Sequence, residues 1–191
     1  MNVYDAIMNR RSIRKFKQEN IPAKDLEKLV KAASMAAYPA NVQPLKFAII
    51  SGKPTTDEIF ECTRWAGYLQ DGAPKTDERP TAYIAILGDK NIKKGTDFQV
   101  ENGAAGTTII LTALEMGIAS CWLGALNRDR IKEILALPEN LAVLDLISLG
   151  YGAQNSSAVE MKDGDIKYYL DENGDIKVPK RSLEEVLYKI V

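Results

Sequence analysis

Apolar positions in this chain fall into two patterns. Some form short unbroken runs closed by Gly or Ser, and others recur every three or four residues. Residues 47–50 (Phe-Ala-Ile-Ile), 83–87 (Tyr-Ile-Ala-Ile-Leu) and 143–149 are of the first kind. Runs of this length bounded by Ser51-Gly52, Gly88 and Gly150-Tyr151-Gly152 predict buried strands. Residues 118–124 form a further compact apolar stretch. Helical spacing appears first in Val3, Ile7 and Met8, for a short helix over about 2–9. Leu26, Leu29, Val30 and Ala33 mark a second helix that opens after Pro22 and runs to about Ala37. Helix or helical turns are predicted over about 56–70, with Ile59, Phe60, Trp65, Tyr68 and Leu69 supplying bulk.

The longest helical candidate covers about 96–116 and stops at Gly117. Few charges fall between Gly103 and Leu114, so this helix is expected to be buried all round. Gly103, Ala104, Ala105, Gly106 and Ala113 make it thin-walled, which would let another helix approach closely. Asn127 is a candidate N-cap for a helix carrying Ile131, Ile134 and Leu135, stopped by Pro138. Ser182-x-x-Glu185 is a capping box opening a C-terminal helix whose apolar face is Leu183, Val186, Leu187 and Ile190. Asn173-Gly174 between two apolar runs suits a hairpin turn, an exposed appendage at about 163–178. The intermixed helices and strands, with no repeat and no low-complexity linker, give one α+β or α/β domain over residues 1–191.

Composition narrows the chemistry. The 191 residues are 46% hydrophobic and 27% charged, ordinary for a globular domain. No apolar run is long enough to span a bilayer and no signal-peptide pattern opens the chain, so a cytoplasmic protein without a membrane partner is expected. Histidine is absent. That excludes Ser-His-Asp and Cys-His hydrolases and His-ligated zinc enzymes, and it shifts weight toward a borrowed cofactor. Cys62 and Cys121 are far apart and form no CxxC, which argues against a disulfide framework or a thiolate metal site. Gly150-x-Gly152 lacks the third glycine of a dinucleotide fingerprint, and there is no Walker A sequence.

Net charge is only −1, yet Arg10, Arg11, Arg14, Lys15 and Lys17 crowd around Ser12. Guanidinium groups beside a hydroxyl suit a phosphate, while the plain reading is a solvated charged turn. Nucleic acid is not expected, because the cluster lacks interleaved aromatics and the domain is not basic.

Several blocks in order carry a resemblance. Arg10-Arg11-Ser12-Ile13-Arg14-Lys15-Phe16 is similar to the N-terminal flavin signature of the nitroreductase family of FMN-dependent oxidoreductases. Pro39-Ala40-Asn41-Val42-Gln43-Pro44 before the 47–50 run resembles that family's second signature. Here Ala40 stands where a hydroxyl is frequent, Leu45 replaces the common Trp, and the signature is one residue shorter before Asn41. The small-residue helix followed by Gly117-Ile118-Ala119-Ser120-Cys121-Trp122-Leu123-Gly124 is similar to the third block. Leu149-Gly150-Tyr151 and the late Lys180-Arg181 complete the order.

The resemblance implies an α+β, nitroreductase-like fold: a mixed, mainly antiparallel sheet flanked by helices, in an intertwined homodimer with FMN at the subunit interface. Arg10, Ser12 and Arg181 would hold the FMN phosphate, with Arg11 at the phosphate or ribityl chain. Arg14 would approach the N1–C2=O2 edge and tune the flavin by stabilising its reduced, negatively charged form. Pro39, Ala40 and Asn41 would come from the second subunit, while Gln43 borders the flavin or structures the turn. Leu123 and Gly124 would offer backbone N–H groups to flavin N5, the reactive atom. Trp65, Tyr68 and Gln70 line the pocket or only pack.

The implied activity is hydride transfer from NADH or NADPH, through flavin N5, to a small electron-poor acceptor such as a nitroaromatic or quinone. The two half-reactions would alternate, with no protein nucleophile and no metal. The alternatives are a specialised flavin enzyme (reductive dehalogenase, flavin-destroying or azoline oxidase type) and a non-catalytic flavin-binding or redox-partner protein.

Overall fold

The computed structural model of the protein describes residues 2–191. Its centre is strand β3 (Ala82–Asp89), all eight residues of which are buried. β3 pairs antiparallel with β2 (Leu45–Ser51) on one side and β5 (Leu141–Gly152) on the other. Alternate side chains of a strand point to opposite faces, and both faces here are covered. Ile84 and Ile86 pack with Leu26, Leu29 and Ala33 of α2 (Ala23–Ala33) and with Ala105, Ile109 and Ala113 of α4 (Gln99–Glu115). Tyr83, Ala85 and Leu87 face the other way, toward Ile59 of α3 (Thr55–Phe60) and Ile131 of α5 (Arg128–Ile134). Two helical layers on a two-sided sheet account for the unbroken apolar run at 83–87.

β5 also pairs with two shorter strands. β4 (Ala119–Leu123) pairs antiparallel with Gly150–Leu146, and β1 (Phe16–Lys17) pairs antiparallel with Gly152 and Tyr151. Beyond β5 the chain builds a second, small sheet. In it β8 (Ile176–Lys180) runs parallel to β6 (Ser156–Glu160) and antiparallel to β7 (Tyr169–Leu170). The turn joining β7 to β8 is held by Asp171, whose carboxylate accepts the N–H groups of Asn173 and Asp175 at 2.9 Å and pairs with Lys177 at 3.1 Å. These carboxylate contacts hold the Asp171 carboxyl below its ordinary pKa, led by the N–H of Asp175. The parallel partner β6 left little trace in the sequence, since its Ser-Ser-Ala-Val-Glu pattern has no apolar alternation.

Three elements differ from their sequence prediction. The 56–70 helix ends at Phe60, because the next residues give their backbone bonds to another segment: Arg64 N–H donates to Ala125 O and Asn127 N–H donates to Cys62 O. The thin wall of α4 at Gly106 admits an indole, since a Cβ there would collide with the Trp122 ring. α4 is also not buried all round, since Thr107 and Glu115 are exposed. The C-terminal helix α6 is one turn, Leu183–Val186, closed by the expected Ser182–Glu185 capping box. Its apolar residues Leu183 and Val186, and Ile190 beyond it, are exposed, as are Val3, Tyr4, Ile7 and Met8 of α1 (Val3–Asn9).

Gly150 governs the course of the basic stretch, because an added Cβ would meet Phe16 Cβ at 2.9 Å and its ring at 2.7 Å. Phe16 anchors that stretch in the core, so the absence of a side chain at 150 sets where it lies. Gly150→Ala is therefore expected to lower stability by about 1–3 kcal/mol through overpacking against an immobile Cβ. Urea denaturation of the two proteins measures it.

Candidate functional site

The basic stretch runs from the end of α1 across the ends of β4 and β5. Ile13 N–H donates to Ser120 O and Ala153 N–H donates to Lys15 O, both at 2.9 Å. Ser12 and Ser120 form a parallel bridge. Lys15 pairs with Glu78 at 2.9 Å. Burial alone would raise the Glu78 carboxyl's pKa; the Lys75 N–H and the Lys15 ammonium outweigh it and leave the pKa lowered. With backbone, core and ion-pair ties at successive residues, the stretch is fixed structure rather than a solvated turn.

Arg10 and Arg11 open into a cavity of about 590 Å³, together with Ile7, Ile110, Trp122 and Lys180. Among the described residues, no carboxylate lines it. Arg11 donates through Nη1 to the carbonyl of Arg10, but its Nε is buried with no partner. Burial and the neighbouring Arg10 charge both lower the Arg11 pKa from its ordinary value. Three cations around an open volume, one with an unsatisfied buried donor, form a site whose electrostatics call for an anion.

The remaining expected residues are distributed across the fold. Arg14 leaves the cavity lining and places its guanidinium carbon 4.5 Å from the Tyr168 ring centroid; its backbone N–H donates to Gln154 Oε1 at 3.3 Å. Ser12 lies beside Cys121, whose thiol is pushed up in pKa chiefly by burial. Leu123 turns its side chain into the core, and Gly124, just past β4, is exposed. Gly124 lines a second cavity of about 520 Å³ with Arg64, Asn127 and Arg128. Arg181 is exposed just after β8, and it is the preceding Lys180 that lines the basic cavity.

Pro39–Asn41 form a 3-10 turn with Ala40, Asn41 and Gln43 in the left-handed region. Gln43 Nε2 donates to Asn41 Oδ1 at 3.1 Å, so Gln43 structures the turn. None of residues 39–43 lines the cavity that holds Arg10. Trp65 stacks on Phe60 at 5.8 Å and donates to Thr63 Oγ1, whereas Tyr68 packs on Tyr168; Gln70 is exposed. Thus the chain brings Arg10 and Arg11 together at one cavity, sets Ser12 against β4 and Arg14 on Tyr168, and leaves 39–43 elsewhere.

Comparison with known proteins identifies this architecture. The sequence model of the nitroreductase family matches residues 7–151, from the first helix through the whole main sheet. The chain belongs to the nitroreductase family. A protein of Archaeoglobus fulgidus with the provisional name NADH dehydrogenase/NAD(P)H nitroreductase is 31% identical over 163 residues, spanning 82% of this chain and 89% of its own length. An NADPH-flavin oxidoreductase of Vibrio harveyi is 25% identical over 167 residues, spanning 81% of this chain and 67% of its own length. Among solved structures, an FMN-dependent nitroreductase from Clostridium difficile R20291 superposes with a TM-score of 0.68 at 25% identity, covering 88% of this chain and 98% of that one. The small sheet β6–β8 and the C-terminal turn lie after the stretch that the nitroreductase family model matches.

Within this nitroreductase fold, Asp145 is the residue that sequence reasoning missed. It sits on β5 with its carboxylate largely buried and accepts from Trp122 Nε1 at 2.8 Å, Asn102 Nδ2 at 2.6 Å and Arg128 Nη2 at 3.3 Å. Arg128 also donates to Gly124 O at 3.1 Å, so Asp145 and Arg128 together brace the end of β4. The signal was an acidic residue inside an otherwise apolar strand. Asp145→Ala strands three donors and should cost roughly 2–4 kcal/mol. Thermal denaturation reports the loss, and Trp122 fluorescence should change with it.

Proposed function

We propose that this nitroreductase-family protein is an NAD(P)H-dependent flavin oxidoreductase that binds FMN with the phosphate in the cavity of Arg10 and Arg11. The observation that carries the reading is the carboxylate-free cationic cavity with the orphaned Arg11 Nε. The relatives' names agree with it: NAD(P)H nitroreductase, NADPH-flavin oxidoreductase and FMN-dependent nitroreductase.

Arg10, Arg11 and Lys180 neutralise the dianion, Ser12 adds a neutral donor, and Arg181 lies within one residue of the same place. Trp122, steadied by Asp145, gives the cavity an apolar wall. Arg14 takes the N1–C2=O2 edge of the ring, and the Leu123–Gly124 backbone faces N5. Bound there, FMN would supply hydride chemistry at N5 between NADH or NADPH and a small electron-poor acceptor, a nitroaromatic, quinone or similar conjugated compound, in alternating half-reactions. The chain supplies binding, orientation and a fixed positive charge, a division of labour open to a protein without histidine.

The site is completed by a second copy of the chain. The exposed Val3, Tyr4, Ile7 and Met8 of α1 and the exposed Leu183, Val186 and Ile190 are a large apolar surface for one protomer to leave in water. A homodimer buries them, and brings the partner's loop 39–43 to the flavin edge. Within each protomer, residues 1–191 act as one domain with the 163–178 segment as an appendage.

Three measurements test this. The purified protein should carry FMN or take it up from solution, should lose the oxidised flavin absorbance under anaerobic NADH or NADPH, and should regain it with a nitroaromatic or quinone. Flavin that binds but stays oxidised with both donors refutes the enzymatic reading. Arg10→Ala should weaken FMN binding by about 30-fold or more, from the roughly 2–5 kcal/mol of a truncated buried charge contact. Light scattering should give twice the 21.1 kDa chain mass, and a monomer with full FMN affinity contradicts the shared site.

A further inference from the structure

Arg14 stands apart from the other cations of the basic stretch. Lys15 is paired with Glu78, and Arg10 and Arg11 share the cavity, whereas the Arg14 guanidinium lies against the face of Tyr168. Tyr168 in turn packs on Tyr68, with ring centroids 5.0 Å apart and planes tilted by 56°. Tilted pairs at this spacing are favoured by the ring quadrupoles. Three separate parts of the chain meet here: the basic stretch, the irregular loop after α3, and the segment entering β7. The last is held by the small sheet, whose Ile176 is fully buried and whose turn Asp171 locks. The backbone of Arg14 is tied to the same region through Gln154.

An aromatic partner treats a guanidinium differently from a carboxylate. A ring face 4.5 Å from the guanidinium carbon offers no carboxylate or carbonyl oxygen, so it does not use up the N–H donors. The attraction to the ring also leaves the charge in place. A carboxylate would occupy those donors and neutralise the cation. We propose that Tyr168, backed by Tyr68, is a positioning residue that holds Arg14 with its N–H edge free and its charge intact for the pyrimidine edge of the flavin. This rests on the proposed placement of Arg14 at that edge. It assigns a role to the small sheet, which lies after the stretch that the family model matches: it carries the aromatic face that sets the tuning cation.

The test uses purified full-length protein, stripped of flavin and titrated with FMN, with flavin fluorescence giving affinity and spectroelectrochemistry giving the midpoint potential. Tyr168→Leu keeps bulk and removes the π face; Tyr168→Phe keeps the face. Tyr168→Leu is expected to weaken FMN binding by at least about threefold and to lower the midpoint potential, while Tyr168→Phe stays within about twofold of the parent in affinity. In an Arg14→Ala background, Tyr168→Leu should have no further effect on the potential. If Arg14→Ala shifts the potential and Tyr168→Leu does not, the positioning role is overturned and the placement of Arg14 stands. If Arg14→Ala itself leaves affinity and potential unchanged, the placement of Arg14 fails and the positioning role falls with it.

Discussion

Like charges held close together in a half-buried place must be restrained by the rest of the fold, and this is the constraint on which the structure turns. Arg10 and Arg11 sit side by side with Lys180 around one cavity, and among the described residues no carboxylate lines it to relieve them. In water such groups would spread apart. Here Ile13 is hydrogen-bonded to β4, Lys15 is tied to Ala153 and Glu78, and Phe16 is sealed in the core against Gly150. The repulsion is thus set against hydrophobic burial and backbone hydrogen bonds elsewhere, and the phosphate proposed for the cavity would relieve it. Preorganised charge of this kind costs little reorganisation when the ligand arrives.

In the proposed reading, the same frame separates binding from tuning along a few residues. The cations of the cavity have no carboxylate partner and so await an anion, whereas Arg14 already has an aromatic one that leaves its charge unspent. Elsewhere around the site, Asp145 and Arg128 brace the turn after β4 at Gly124. Rigid supports of this kind suit a protein whose chemistry is carried by a bound group, since the protein's share is orientation and field.

Much of this was legible in the sequence where the signal is local. The unbroken run at 83–87 marked the central strand, Pro22 and Asn127 opened real helices, and Ser182 and Glu185 form their capping box. Arg10 and Arg11 were marked by charge concentration in a chain of net charge −1. What the sequence hid depends on partners distant along the chain. Over 56–70, where helix or helical turns were expected, the regular helix stops at Phe60 because the 125–127 segment takes its backbone bonds. Gly106 was read as making room for a helix, and the occupant is Trp122. Lys180, the last residue of β8, lines the cavity, whereas Arg181 lies just past the strand and is exposed. Tyr168 and Asp145 acquire their roles only from contacts across the fold.

The central claim is that the cationic cavity recognises a phosphate on a flavin, and comparing FMN with riboflavin tests it most directly. The two ligands share the ring and ribityl chain and differ in the phosphate. Titration of flavin-free protein should show FMN binding about 100-fold or more tightly than riboflavin, as expected for a dianion gripped by several charge-assisted hydrogen bonds. Equal affinity for the two would contradict the account, because the cavity of Arg10, Arg11 and Lys180 would then have no part in holding the cofactor.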